Sequence, residues 1–153
     1  MSQQRQNHKG DEWMNHIEEA VRLALKAHEG QVDKAGNPYI LHPIKVAANQ
    51  ETIDGVVVAL LHDAVEDSDL TIDELNEIFP EHITEAIELL THKQGVAYFD
   101  YIQEISRNEL AKAVKIQDLL HNSDLTRLKE ITDKDLERVE KYKKALEMLG
   151  YQK

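Results

Sequence analysis

The chain has 153 residues, enough for one domain with a real core, and sets 18 Lys+Arg against 29 Asp+Glu for a net charge of −11. That balance disfavours non-specific binding to nucleic acid or to an anionic membrane, although a bound cation can still reverse the local field for a small anion. The absence of cysteine removes disulfides, thiolate nucleophiles and zinc ribbons.

The opening residues, Met1 to Gly10, are polar and contain no apolar stretch of the kind a secretory signal needs. No apolar run approaches membrane-spanning length, so a soluble cytoplasmic protein is expected. Trp13, Ile17, Ala20, Val21, Ala24, Leu25 and His28 form one stripe at helical spacing, with Gly30 as the stop. Gln31 to Leu41 reads as a loop turning at Gly36-Asn37-Pro38, and Pro43 suits the first position of a second helix ending near Asn49. A third helix is expected from Ile53 through the Val56–Leu61 block to His62-Asp63, because no other strand candidate exists to pair with that block. Thr71-Ile72-Asp73-Glu74 is a capping box opening a short helix that ends near Phe79-Pro80. Further helices are expected over Glu81–Thr91, Tyr98–Ser106 and Asn108 to about His121, then from Thr132 to Gly150. The expectation is an all-α, compact bundle of about eight helices forming one domain over 1–153, with its core at about 12–128 and a C-terminal helix at 132–149.

Two stretches set imidazoles and carboxylates beside apolar residues: Leu41-His42-Pro43 and Leu61-His62-Asp63-Ala64-Val65-Glu66-Asp67. Charged groups in apolar surroundings are costly unless compensated, and a divalent cation is the usual compensator. The proline after His42 biases it away from helical angles, so that it projects from the head of the second helix. If the third helix continues, Glu66 lies one turn beyond His62 and Asp67 one turn beyond Asp63. The alternative is a solvated acidic turn, the reading that suits Asp69 and Asp73. Carboxylates at a helix C-terminus oppose the macrodipole, which favours the metal reading. In the helix from Asn108, Ala111, Lys115, Asp118 and Asn122 make one narrow strip among apolar neighbours, and Asp118 suits either a metal or a salt bridge. Two imidazoles and two carboxylates suit manganese or iron, with zinc, cobalt or nickel as further candidates. Glu66 or Asp67 could then handle an attacking water, while Lys34, Lys45 or Lys115 could meet phosphate charge. His8, His16 and His82 read as surface residues, His28 and His92 as helix-end caps, and His121 as a decoy one turn from Asp118.

The order His42, His62-Asp63, Asp118 resembles the HD phosphohydrolase superfamily, and more specifically the hydrolase domain of the RelA/SpoT group with its short single-domain members. The resemblance runs roughly from Ala20 to Leu128, on Ala27-His28-Glu29-Gly30-Gln31, Gly36–Pro43, Leu61–Ser68 and Val114–Asn122. It implies that His42, His62, Asp63 and Asp118 hold one manganese ion, that Glu66 and Asp67 handle the nucleophilic water, and that Lys34 and Asn122 contact substrate. The implied reaction removes the 3′-pyrophosphate from the small anionic nucleotide (p)ppGpp, in a hydrolase-only protein. The family commonly carries basic residues where this chain has Asp33 and Asp124. The alternatives are therefore a phosphohydrolase of another nucleotide or phosphoester, and a non-catalytic nucleotide- or metal-binding module. Neither charge nor composition specifies an oligomer.

Overall fold

The computed structural model describes residues 9–152 and side chains from His16 onward; His8 and the Trp13 side chain lie outside that range. Among the described residues there are nine α-helices and one 3-10 turn: α1 Lys9–Ala27, α2 Leu41–Ala48, α3 Ile53–Leu61, α4 Ala64–Asp67, α5 Ile72–Asn76, α6 Glu81–Leu90, α7 Tyr98–Ile105, α8 Glu109–Asn122, the 3-10 turn Leu125–Arg127, and α9 Asp133–Met148. The fold is all-α as the hydrophobic spacing requires. The described residues contain only an isolated bridge, Val32 with Pro38, which closes the loop after α1. No described helix is long and apolar enough to cross a membrane.

The Val56–Leu61 block is the centre of the molecule. Val57, Val58, Ala59, Leu60 and Leu61 are all buried, because α1, α2, α6 and α8 pack around α3 and leave only its first turn, at Ile53 and Asp54, open to solvent. A helix that is apolar all round has to occupy such a position, and each fully buried Val or Leu contributes about 1.5–3 kcal/mol. Thr52 caps it, accepting a hydrogen bond from Gly55 N.

Two details differ from the sequence expectation, and both fall at chemistry-bearing residues. The third helix ends beside His62-Asp63 as expected, but the continuation to Asp67 is a separate short helix, α4, so that nine helices stand where about eight were expected. Asp63 sits at φ −106, ψ −4, so His62 and Asp63 do not fan out around a continuous helix as neighbouring residues otherwise would. The second helix begins at Leu41, two residues before Pro43, because Leu41 N and His42 N already donate to Pro38 O and Tyr39 O at 3.2 and 2.9 Å. His42 is thus inside the first helical turn rather than extended before it. Pro43 remains within that turn, where its missing N–H costs nothing. The capping box of Thr71 with Glu74 forms as read, and the structure adds a second, Thr132 with Asp135.

Candidate metal centre

Three segments converge where α3 ends. α2 delivers His42, the α3–α4 joint delivers His62 and Asp63, and α8 delivers Asp118. One donor atom from each of these four residues lies within 4.8 Å of every other. His42 Nε2 is 2.8 Å and His62 Nε2 3.3 Å from Asp118 Oδ1, while Asp63 Oδ2 is 3.1 Å from His62 Nε2 and 3.7 Å from His42 Nε2. His42, His62 and Asp118 are buried and Asp63 is partly open. Four nitrogen and oxygen donors converging on one point, with one side open, fit a divalent cation that keeps exchangeable positions.

The surroundings aim these donors. His62 Nδ1 donates to Ala59 O at 2.6 Å, which leaves the Nε2 lone pair facing the centre. His42 Nδ1 lies 2.7 Å from His121 Nδ1. Burial and the Arg127 charge hold His121 down to about 4, so its neutral ring can accept that proton and orient His42. Asp118 Oδ2 receives Lys115 Nζ at 2.8 Å and Oδ1 receives Asn122 Nδ2 at 3.1 Å. Tyr39 OH donates to Asp63 Oδ2 at 2.5 Å. Burial opposes ionisation of Asp118, yet the Lys115 ammonium and the two imidazoles hold its carboxyl well below the ordinary range. Burial likewise opposes a charged His62, but the neighbouring Asp63 and Asp118 hold a proton on it well above the ordinary histidine range. A metal taking up the same lone pair would release that proton.

Glu66 and Asp67 lie on α4 just beyond the cluster. Glu66 Oε1 accepts a hydrogen bond from His92 N. Burial raises the pKa of both carboxyls; the His92 N–H partly offsets it for Glu66, and the Asp63 charge adds to it for Asp67. Beside the cluster opens a cavity of about 320 Å³, whose lining includes Asp33, Lys34, Tyr39, Asn122, Asp124 and Arg127. Lys34 and Asn122 therefore line the same cavity. Lys34 pairs with Asp135 at 3.7 Å, and Lys115 is committed to Asp118 rather than free for phosphate.

The other histidines sort by position. His82 is exposed and pairs with Asp54 at 2.9 Å, whereas His16 is half-buried and meets Phe79 edge-on at 5.5 Å between centroids. His28 is not a helix-end cap but a buried ring. Tyr101 is core, its hydroxyl donating to Leu90 O at 2.7 Å. Sequence reading assigned no role to Tyr39 and set His121 aside. Tyr39 stands 24 residues from Asp63, so local spacing carries no signal of that contact; His121, one turn from Asp118 on an inward strip, did carry one.

A model described as the HD domain matches residues 20–146. The chain belongs to the HD domain family. Among curated relatives of this HD domain, a guanosine-3′,5′-bis(diphosphate) 3′-pyrophosphohydrolase of Aquifex aeolicus (strain VF5) is 35% identical over 86 residues, which is 54% of this chain and 12% of that protein. The bifunctional (p)ppGpp synthase/hydrolase SpoT of Escherichia coli (strain K12) is 32% identical over 106 residues, 65% of this chain and 14% of that protein. The HD domain chain thus spans under a sixth of the length of these relatives. Among solved structures, one described as a metazoan ortholog of SpoT that hydrolyzes ppGpp superposes with a TM-score of 0.72 at 23% identity, covering 88% of this chain and 85% of that one. That likeness establishes the fold.

Proposed function

We propose that this HD domain is a metal-dependent, cytoplasmic hydrolase that removes the 3′-pyrophosphate from (p)ppGpp, with manganese as its resident ion. The observation that carries this reading is the convergence of His42, His62, Asp63 and Asp118 within 4.8 Å, with two further carboxylates on the next short helix. The named activities of the Aquifex and E. coli relatives support the substrate. His42, His62, Asp63 and Asp118 would hold a divalent ion, which when bound would supply water acidification and polarisation of a phosphoryl oxygen. Glu66 and Asp67 accept the proton of the attacking water and orient it. Asn122 and Lys34 receive the nucleotide from the adjoining cavity, while Lys115 keeps Asp118 ionised and His121 keeps His42 in register.

The test is product analysis with purified, manganese-loaded protein: ppGpp should yield GDP and pyrophosphate. The Glu66→Gln, Asp67→Asn double variant should retain the metal and lose turnover by at least about 10²-fold, the usual scale of general acid–base assistance. Wild-type protein no faster than that variant would end the enzymatic reading. One observation favours a second substrate class. Each cation lining the cavity is already paired, Lys34 with Asp135 and Arg127 with Asp33, both at 3.7 Å, and Arg138 with Asp135. A less charged nucleotide suits such a wall better, and a panel graded by phosphate number, with Asp63→Ala as the blank, separates the two.

A further inference from the structure

The segment Ala27-His28-Glu29-Gly30-Gln31 belongs to neither the ligand set nor the acidic pair. His28 nevertheless lies buried, with its Nδ1 2.8 Å from Gln31 Oε1. Gln31 Nε2 donates to Asp67 O at 2.9 Å and to Ala27 O at 3.1 Å. Both amide hydrogens therefore go to carbonyls, Oε1 is the acceptor end, and His28 Nδ1 must carry the proton that reaches it. Gly30, at φ +78, makes the turn that brings Gln31 back beneath the end of α1, where Gln31 N donates to His28 O at 3.0 Å. The backbone of Gln31 leads elsewhere. Its carbonyl accepts from Tyr39 N at 2.9 Å, the Tyr39 ring packs 4.9 Å from that of His28, and Tyr39 OH donates to Asp63 Oδ2.

We propose that His28, Gln31 and Tyr39 form a positioning bracket that sets the spacing between the metal ligand Asp63 and the carboxylates of Glu66 and Asp67. The inference rests on the reading of Glu66 and Asp67 as the pair that handles water. One arm is the Gln31 amide on the Asp67 carbonyl; the other is Gln31 O through Tyr39 to the Asp63 carboxylate. α4 needs such support. Its four residues make a single turn, closed by Asp67 N to Asp63 O at 3.0 Å, and a turn that short does not hold itself in water. The His28 ring fixes which way the Gln31 amide faces, because any flip would set the Nε2 hydrogens against the Nδ1 hydrogen. Gln31 and His28 are positioning residues and touch neither metal nor substrate.

Two variants test the bracket. Gln31→Glu preserves volume and the acceptor for His28 but turns oxygens onto the carbonyls of Asp67 and Ala27. His28→Phe retains the packing on Tyr39 and removes the Nδ1 hydrogen, and it carries the same test should Gln31→Glu fail to fold. The readouts are kcat and KM on ppGpp, manganese affinity by titration, and amide hydrogen exchange over 64–70. The expected result is a fall in kcat of about 10–100-fold, the scale of misplaced or unsupported catalytic groups, with KM and manganese affinity within about threefold of wild type. Exchange should accelerate over 64–70 and not over α6 or α8. Unchanged kcat with unchanged exchange overturns the bracket, as does a fall in kcat matched by equal losses in metal affinity and in exchange protection throughout the chain. If wild-type protein releases no GDP, the functional reading fails on its own, and local exchange over 64–70 still decides whether the bracket exists.

Discussion

The metal cluster and the cavity beside it are both rich in charge, and they are built on opposite principles. In the cluster two carboxylates and two imidazoles from three segments aim at one point, and Lys115 is the cation that meets Asp118, with their side chains 12% and 6% exposed. Lone pairs there outnumber the protons available to satisfy them, and low local dielectric makes that imbalance expensive. In the cavity each acidic side chain already has its partner. Asp33 Oδ1 accepts from Ala35 N and Asn37 N, both at 2.9 Å, and its Oδ2 meets Arg127 at 3.7 Å. Asp124 caps the 3-10 turn through Thr126 N at 3.0 Å, and Asp135 binds Arg138 and Lys34. A cation would complete the cluster; the cavity is complete already. On the proposed function, chemistry is thereby anchored in the core, while recognition is left to surface pairs that a ligand can rearrange.

The largest effect expected from this contrast comes from Asp118→Ala. It removes one metal ligand and strands the buried Lys115 ammonium, so unfolding in urea should show a loss of about 3–5 kcal/mol, the usual cost of breaking a buried pair from one side. Manganese binding should vanish with it. The matched change in the cavity, Arg127→Met, breaks a pair whose side chains are 30% and 16% exposed and should cost no more than about 1 kcal/mol. Equal losses from the two variants would erase the distinction between the regions.

A second, smaller effect is a displaced acid limb in the rate profile. Burial raises both Glu66 and Asp67 above the ordinary carboxylate range. Only the ionised forms can take a proton from water, so activity should be full above the raised values and fall as pH drops through them. The Asp67 charge contributes to the rise of Glu66. In Asp67→Asn the residual activity should therefore show its limb shifted to lower pH. A limb at the ordinary carboxylate position in wild type would mean that the pair is wetter than its burial indicates.

The contrast also explains what sequence reading could reach. His42, His62, Asp63 and Asp118 stand out because each lies in or beside an apolar stretch, and ionisable groups in such surroundings are themselves the signal, even though Leu41 before His42 is exposed. The end of the third helix beside His62-Asp63 was legible, but its restart as α4 two residues on was not, since Leu61-His62-Asp63-Ala64 contains neither glycine nor proline to mark a joint. Lys115 looked available for phosphate because its i+3 relation to Asp118 is equally good for an ion pair. Gln31 and Tyr39 act over 36 and 24 residues of chain, a separation at which no periodicity survives. Asp33 and Asp124 looked like misplaced charge, yet both caps are local, each carboxylate bonding backbone N–H groups two to four residues ahead.

The smallest effect is expected from Asp33→Asn, and it bears most directly on substrate. An asparagine oxygen can still accept from Ala35 N and Asn37 N, so the turn should survive with a stability change below about 1 kcal/mol. What changes is Arg127, which loses its ionic partner while its NH2 remains 3.3 Å from His121 O. A guanidinium released in this way faces the cavity as an unpaired charge and should attract phosphate. If the natural ligand is highly phosphorylated, Asp33→Asn should lower KM a few-fold at low salt, and the gain should fade as added salt screens the charge. If the ligand carries little charge on that wall, KM should not move and its salt dependence should stay flat. The first outcome would make the Asp33–Arg127 pair a brake on phosphate binding in an alarmone hydrolase; the second would assign the cavity to a nucleotide with fewer phosphates.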